Sequence, residues 1–218
     1  ASAGVGHIGI ADGDAVELSN LNRQILHAST RIGKNKACSA AETIQEWNPE
    51  VQVSVIPEFL QDENILPLIR QYDFVVDASD QLQNKFLIND ACVTAGVPFC
   101  HGGIEGWDGQ VMTYLPKQNL PCYRCVFESL PADQESKPIG VIGVTAGIIG
   151  TIQASEAIRY LLGEQDGLLK GTLLRFSGQT MQFRKIPLGK CAPHCPVCHS
   201  VPDANPLQWY QKFRNHKK

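Results

Sequence analysis

Short apolar runs alternate along this chain with segments of helical periodicity, and this alternation restricts the fold more than any other feature of the sequence. Strands are predicted at His7–Ala11, Val51–Val55, Phe74–Val76, Val97–Cys100 and Gln110–Tyr114. Helices are predicted over Lys34–Trp47, Glu63–Tyr72 and Leu82–Ala95, the last closed by Gly96. Strands that alternate with helices form a largely parallel sheet, and such a sheet is covered by helices on both faces.

The pattern changes in the second half of the chain. Residues 128–138 are polar and bounded by proline, which predicts a mobile loop. Gly140–Leu162 is apolar and rich in Gly and Ala, which predicts a long packed helix, and Thr172–Phe176 with Met181–Ile186 predicts a hairpin. We therefore predict a Rossmann-like α/β domain over residues 1–200, with antiparallel strands near its C-terminal end, and a C-terminal extension over 201–218.

Length and composition exclude several classes of protein. The 218 residues suit one domain, and the 43% hydrophobic and 19% charged fractions exclude a largely disordered chain. The net charge of −3 gives no electrostatic reason to expect a nucleic-acid partner. Neither a secretory signal nor an apolar run of about 18 residues is apparent. We therefore expect a cytoplasmic protein that does not span a membrane.

The glycines of Gly4-Val-Gly6-His-Ile-Gly9 match a GxGxxG pattern, but their surroundings argue against a phosphate loop. That motif needs a strand before it and a helix after it, whereas here the predicted strand follows the glycines. Asp12 is a better candidate for a ligand contact, because ligands of open α/β sheets bind at the carboxyl ends of strands. A carboxylate at this position suits a ribose hydroxyl, and a loop carboxylate or helix cap fits the position equally well.

Four of the eight cysteines form two CxxC pairs, Cys122/Cys125 and Cys195/Cys198. A secreted disulfide protein would be shorter and richer in cysteine. Tetrahedral zinc takes four thiolate ligands, and two CxxC pairs supply that number. The sequence therefore predicts a structural zinc site that ties together two distant segments, with a redox-active CxxC as the alternative. Cys191 and His194 lie close to the second pair and could each replace a ligand.

Six motifs occur in the order in which one protein family has them. They are Asp12-Gly-Asp-Ala-Val-Glu-Leu-Ser-Asn-Leu-Asn-Arg-Gln24 with Gly33-Lys-Asn-Lys36, Asp77-Ala-Ser-Asp80, Cys122-Tyr-Arg-Cys125, Gly140-Val-Ile-Gly143, Gln153-Ala-Ser-Glu-Ala-Ile158 and Cys195-Pro-Val-Cys198. Through these motifs the chain resembles the ThiF/MoeB/HesA family, the bacterial relatives of the ubiquitin-activating enzymes. The resemblance implies ATP-dependent adenylylation of the C-terminal glycine carboxylate of a ubiquitin-like sulfur-carrier protein ending in Gly-Gly, in thiamine or molybdopterin biosynthesis.

The resemblance also implies a nucleotide site. The ATP-binding residues that it indicates are Asp12, Asn20, Arg23, Gln24, Lys36 and Asp80. Asp12 matches the acid that binds ribose, and Asp80 matches the acid that serves Mg²⁺ and the phosphates. The carrier carboxylate and the α-phosphate are both anions, so positive groups, metal and positioning must supply the catalysis. We therefore expect the catalytic residues Arg23, Lys36 and Asp80 to meet at one edge of the sheet.

Three departures from the family pattern affect the expected activity. Gln81 and Lys85 stand where the family usually has Asn and Arg, which changes the reach of the side chains near Asp80. The predicted loop 128–138 contains no cysteine, so we expect adenylylation without a covalent step on this loop, as in the molybdopterin-type activators. The family begins with a strand, a glycine-rich phosphate loop and a helix, and this sequence starts near the end of that helix.

The late start leads us to expect either a truncated form or a degenerate relative, with poor ATP binding by this polypeptide alone. Equal ATP affinity with and without a restored N-terminal segment would contradict this expectation. A non-catalytic subunit that binds the carrier is the alternative function. The resemblance further implies a homodimer.

Overall fold

The computed structural model describes residues 1–127 and 140–199, which form two compact units. The N-terminal unit comprises Ala1–Leu60 and Ile142–Val144, and the remaining described residues form the C-terminal unit. The loop predicted at 128–138 and the extension predicted at 201–218 lie outside the described residues.

The N-terminal unit is a β-α-β arrangement. Its elements are β1 (His7–Ala11), α1 (Lys36–Trp47) and β2 (Gln52–Ile56), with 3₁₀ turns at Leu18–Asn20 and Ser29–Arg31. The two strands pair in parallel, with His7 opposite Gln52. Helix α1 begins where the Asn35 side chain accepts a hydrogen bond from the Cys38 backbone N–H at 3.1 Å. Strands β1 and β2 and helix α1 were predicted to within about two residues of their bounds, whereas the 3₁₀ turns were not predicted.

The C-terminal unit contains a mixed five-stranded sheet. Its strands, in spatial order, are β3 (Val75–Asp77), β4 (Phe99–Glu105), β5 (Asp108–Tyr114), β6 (Thr172–Ser177) and β7 (Gln182–Pro187). Strands β3 and β4 are parallel, and the other neighbours are antiparallel. The connections explain this pattern, because a helix separates β3 from β4, whereas only Gly106 and Trp107 join β4 to β5. The predicted α/β class and the predicted C-terminal antiparallel strands are confirmed, and the sheet is mixed where a largely parallel one was predicted.

Four helices have residues in the C-terminal unit. They are α2 (Ile65–Ile69), α3 (Leu82–Ala95), α4 (Tyr123–Val126) and α5 (Gly143–Leu161). Helix α3 has the predicted bounds and is closed by Gly96, whose φ of 70° is a left-handed conformation that suits glycine.

Helix α5 packs against the sheet through Ile149, which forms an apolar core with Val111, Leu174 and Phe176. Gly109 on β5 permits this approach, because a Cβ atom there would lie 2.5 Å from the Ile149 side chain. In the part of the chain that the structure describes, no helix combines the length and the apolar character that crossing a membrane requires.

Candidate nucleotide and metal sites

Asp12 and Lys36 are connected through Asp14 at the point where β1 ends and α1 begins. Asp12 Oδ1 accepts a hydrogen bond from the Asp14 backbone N–H at 2.9 Å. Lys36 Nζ donates to Asp14 Oδ2 at 2.9 Å, and the Lys36 backbone N–H donates to the Asp14 carbonyl. Lys36 is buried whereas Asp14 is exposed. The ammonium group is therefore oriented by a carboxylate that the sequence analysis did not assign to the site.

Asn35 fixes the same segment from the helix side. While its oxygen caps α1, its Nδ2 donates to the carbonyls of Asp12, at 2.9 Å, and of Asp14, at 3.3 Å. One side chain thus aligns the end of the strand with the start of the helix that carries Lys36.

Asn20, Arg23 and Gln24 lie on a second tight turn of the N-terminal unit. The backbone N–H groups of Arg23 and Gln24 donate to the Asn20 carbonyl at 3.1 and 2.9 Å. The buried Asn20 side chain accepts a hydrogen bond from the Glu17 backbone N–H at 3.0 Å. Through these hydrogen bonds, Asn20 stabilises the turn on which Arg23 lies.

The Arg23 guanidinium keeps part of its donor capacity. Its Nη1 donates to the Ser19 carbonyl at 2.9 Å and to Asn22 Oδ1 at 2.8 Å. Its other N–H groups have no protein partner within residues 1–127 and 140–199, so they can bind an anion. Gln24 Oε1 is buried and, over the same residues, has no hydrogen-bond partner. A buried acceptor of this kind suits a donor on a bound ligand.

His27 experiences the charges of the Asp12–Lys36 cluster. Its Nδ1 lies 2.9 Å from Ser39 Oγ on α1. The pKa of His27 is lowered, first by burial and then by the charge of Lys36, while the charge of Asp12 opposes this effect. The charges of both predicted residues therefore act on the His27 imidazole.

Asp80 is exposed and lies on the loop between β3 and α3 of the C-terminal unit. Asp77 anchors this loop, because its Oδ1 accepts hydrogen bonds from the Ser79 backbone N–H at 3.0 Å and from the Ser79 hydroxyl at 2.6 Å. Asp80 thus follows the carboxyl end of a parallel strand, a position that suits ligand binding. Its convergence with Arg23 and Lys36 on one triphosphate stays a prediction.

Asp77 is also the centre of a buried network that the sequence analysis missed. Its Oδ2 lies 2.9 Å from His101 Nδ1 and 3.5 Å from Lys85 Nζ, and Lys85 donates in addition to the Gly102 carbonyl at 2.9 Å. Both Asp77 and His101 are almost fully buried. Lys85, which replaces the usual arginine of the family, is therefore engaged inside the C-terminal unit by Asp77 and Gly102.

Burial and charge act against each other in this network. Burial alone would raise the pKa of Asp77, but the His101 hydrogen bond, the Lys85 charge and the Ser79 hydrogen bond together hold it below its ordinary value. Burial lowers the pKa of His101 and of Lys85, although Asp77 opposes both changes. The carboxylate is thus kept ionised and the imidazole neutral near pH 7.

The four paired cysteines come together as predicted. Cys122 Sγ lies 3.9 Å from Cys125 Sγ and 3.7 Å from Cys195 Sγ, and Cys125 Sγ lies 3.3 Å from Cys198 Sγ. All four sulfur atoms lie within 4.8 Å of one another. These separations are too long for disulfides and close to the ~3.8 Å edge of a tetrahedron with zinc–sulfur bonds of about 2.3 Å. The cluster could therefore hold zinc.

The electrostatics of the cluster favour a bound cation. Hydrogen bonds from the other sulfur atoms raise the pKa of Cys122, and the bond with Cys125 has the largest effect. The hydrogen bond with Cys122 has the largest effect on two of the other thiols, because it lowers the pKa of Cys195 and lowers that of Cys125 to about 7. Four thiolates this close repel one another, and a divalent cation offsets that repulsion. Cys191 and His194 do not belong to this group of mutually close ligand atoms.

Four residues with clear structural roles were not predicted from the sequence: Asp14, His101, Asp90 and Arg124. Asp90 and Arg124 are buried, and the Arg124 Nη2 donates to Asp90 Oδ2 at 2.6 Å. One signal was available, because Asp90 interrupts a run of apolar residues on a predicted helix, and a carboxylate there needs a buried partner. His101 gave no signal, since its partner lies on another strand.

Comparisons with known proteins agree with this architecture. A profile of the ThiF family matches residues 1–197. The adenylyltransferase and sulfurtransferase MOCS3 of Culex quinquefasciatus is 41% identical over 216 residues, which cover 98% of this chain and 49% of that protein. The sulfur carrier protein adenylyltransferase of Thermus thermophilus is 39% identical over 219 residues, which cover 97% of this chain and 80% of that protein.

Solved structures of MccB from E. coli show the same fold. MccB with MccA-N7isoASN has a TM-score of 0.80 at 21% identity, covering 91% of this chain and 61% of MccB. MccB with ATP has a TM-score of 0.75 at 21% identity, covering 90% and 60% of the two chains. Identity this low supports a shared fold and nothing more specific.

These matches cover nearly all of this chain but only part of the MOCS3 proteins. The chain spans about half the length of the MOCS3 relatives that it matches. The family profile nevertheless covers nearly all of the described residues, and relatives close to 40% identical match over almost the whole chain. This chain therefore belongs to the ThiF family.

Proposed function

We propose that this chain carries an ATP-dependent adenylyltransferase domain that activates the C-terminal glycine carboxylate of a ubiquitin-like sulfur carrier. The observation that carries the proposal is the cluster in the N-terminal unit, where Asp14 links Asp12 to a buried, oriented Lys36. The adenylyltransferase names of the Culex quinquefasciatus and Thermus thermophilus relatives support it.

The proposed reaction brings two anions together. The carrier carboxylate attacks the α-phosphate of ATP, an acyl-adenylate forms, and pyrophosphate leaves. Arg23 offers its remaining N–H donors to the phosphates as a fork, and Lys36 offers an ammonium whose direction Asp14 sets. By analogy with other transition-state donors, loss of one such contact costs about 3 kcal/mol of transition-state stabilisation. Asp12 binds the ribose hydroxyls, with its backbone held by Asn35.

Asp80 is the proposed holder of Mg²⁺. Its exposed carboxylate fits this ion, which prefers oxygen ligands, uses one or two carboxylates and keeps several waters. Mg²⁺ bound there would neutralise charge on the phosphates. The Asp77–Ser79 hydrogen bonds hold the loop and so limit the conformations that Asp80 can adopt.

We propose that Cys122, Cys125, Cys195 and Cys198 bind Zn²⁺ in a structural role. A site with four cysteine ligands leaves no open coordination position for a substrate. The chemistry of adenylylation therefore rests on the nucleotide residues, and the metal joins the segments around α4 and after β7.

An ATP–pyrophosphate exchange assay tests the proposal, using the full-length gene product and a carrier that ends in Gly-Gly. Lys36→Ala should reduce exchange about 100-fold or more, because it removes a phosphate contact. Lys34→Ala is the matched control, since Lys34 is exposed and pairs with Glu42 at the surface. Carrier binding without any exchange would favour the non-catalytic subunit instead. The homodimer and the cytoplasmic location stay predictions.

A further inference from the structure

Two polar residues in the middle of α3 contact the turn that carries the first cysteine pair. Asp90 is fully buried and accepts hydrogen bonds from Arg124 Nε at 2.7 Å and Arg124 Nη2 at 2.6 Å. Arg124 lies between Cys122 and Cys125 in sequence. A bidentate arginine–carboxylate pair fixes both the position and the plane of the guanidinium group.

Asn89, the neighbour of Asp90, holds the backbone of the same turn. Its Oδ1 accepts a hydrogen bond from the Tyr123 backbone N–H at 2.8 Å, and its Nδ2 donates to Asp90 Oδ1 at 2.8 Å. Asn89 is fully buried. The first N–H of α4 therefore finds its acceptor on a different helix.

Phe86 completes the contact from one turn earlier on α3. The Arg124 guanidinium carbon lies 4.5 Å from the centroid of the Phe86 ring, which is a cation–π distance. Three side chains of α3 thus position one four-residue helix, which is too short to be stable by itself.

We propose that Asn89 and Asp90 are positioning residues for the metal, because they hold the Cys122–Cys125 turn in the geometry that zinc requires. This inference rests on the proposed zinc site. If the turn is already ordered before the metal binds, metal binding does not include the free-energy cost of ordering it. The affinity for the metal is therefore higher. Residues that orient metal ligands typically change metal affinity by 10- to 100-fold.

The competing explanation is that this buried pair stabilises the fold without a specific effect on the metal. Glu156 provides a matched control, because it is also a buried carboxylate with two hydrogen bonds. Its Oε2 accepts from the Thr113 hydroxyl at 2.6 Å and from the Leu169 backbone N–H at 2.8 Å, and neither partner belongs to α3 or α4. Glu156→Gln should destabilise the protein without changing zinc affinity.

The test compares the zinc-loaded 218-residue chain with its Asp90→Asn, Asn89→Ala and Glu156→Gln variants. Zinc content by mass spectrometry and competition with a chromophoric chelator give the affinity of each folded variant. Asp90→Asn and Asn89→Ala should each bind zinc about 10- to 100-fold more weakly than the unchanged chain. Substitution with Co²⁺ adds a geometric readout, since its visible absorption should change in both α3 variants and stay unchanged in Glu156→Gln.

The outcomes separate this inference from the zinc proposal. An unchanged chain that binds no zinc would overturn the zinc site itself. A zinc-binding chain whose α3 variants retain unchanged affinity and Co²⁺ absorption would overturn the positioning role, and so would an equal loss in Glu156→Gln. If Asp90→Asn does not fold, the same measurements on Asn89→Ala, which removes no charge, decide between the positioning role and a purely structural role.

Discussion

Asp77 and Asp80 lie three residues apart, and the structure predicts opposite consequences for their replacement by asparagine. Asp77 is 1% exposed and is the anionic partner of buried Lys85 and hydrogen-bond partner of His101. Asp77→Asn removes the negative charge that pairs with the buried Lys85 ammonium, which keeps its hydrogen bond to the Gly102 carbonyl. Removing one partner of a buried ion pair costs about 3–5 kcal/mol of unfolding free energy.

For a protein of this size, that loss corresponds to a fall in melting temperature of about 6–20 °C, at roughly 2–4 °C per kcal/mol. Asp80→Asn should change the unfolding free energy by less than about 0.5 kcal/mol, because Asp80 is exposed. Denaturant unfolding followed by circular dichroism measures both variants. Under the proposed function, Asp80→Asn should instead lower pyrophosphate exchange.

A second substitution isolates the charge as the cause. Adding Lys85→Met to Asp77→Asn removes the orphaned ammonium, so the double variant should recover at least about 1 kcal/mol of the loss. A cost of less than about 1 kcal/mol for Asp77→Asn would contradict a stabilising ion pair between Asp77 and Lys85. A double variant less stable than Asp77→Asn alone would also contradict it.

Three further predictions concern the pH, the thiols and the cap of α1. Burial holds the pKa of His101 below its ordinary 6.5, so the unfolded state binds a proton at a higher pH than the folded state does. Stability should therefore fall as the pH drops below 6.5. In His101→Gln, the melting temperature should depend less on pH between 7.5 and 5. With zinc bound, a thiol reagent should react rapidly with only Cys38 and Cys191, and chelation should add four reactive thiols, whereas an unchanged number would argue against the metal. Asn35→Ala should cost about 1–2 kcal/mol in denaturant unfolding, and Asn35→Asp, which keeps the cap acceptor but loses both Nδ2 hydrogen bonds, should cost less; under the proposed function both variants should weaken ATP binding.

Elements whose signals are local could be predicted from the sequence. Helix α3 combines two short apolar runs, Phe86–Ile88 and Ala91–Val93, with a terminal glycine, and these features act within a few residues. The two cysteine pairs could also be recognised in the sequence, because CxxC is a typical spacing of zinc ligands. Their approach to one another confirms that two segments distant in sequence meet.

The parts that could not be predicted depend on which strands are neighbours. Asp77 and His101 meet because β3 and β4 pair in parallel with these two residues opposite each other, and nothing near either residue specifies that register. Asp14 was overlooked for a different reason. An exposed carboxylate on a loop is ordinarily solvated, and the role of Asp14 depends on the Lys36 side chain, which points back to it from α1.

The four-sulfur cluster closes the chain on itself, since Cys122 and Cys195 are separated by 73 positions. A crosslink around a loop of that length removes conformational freedom from the unfolded chain worth about 4 kcal/mol in a loop-entropy model. Helix α5 and strands β6 and β7 lie inside this loop. If zinc binds as proposed, a protease cut within this loop would leave two fragments that are joined by the metal as well as by the pairing of β5 with β6.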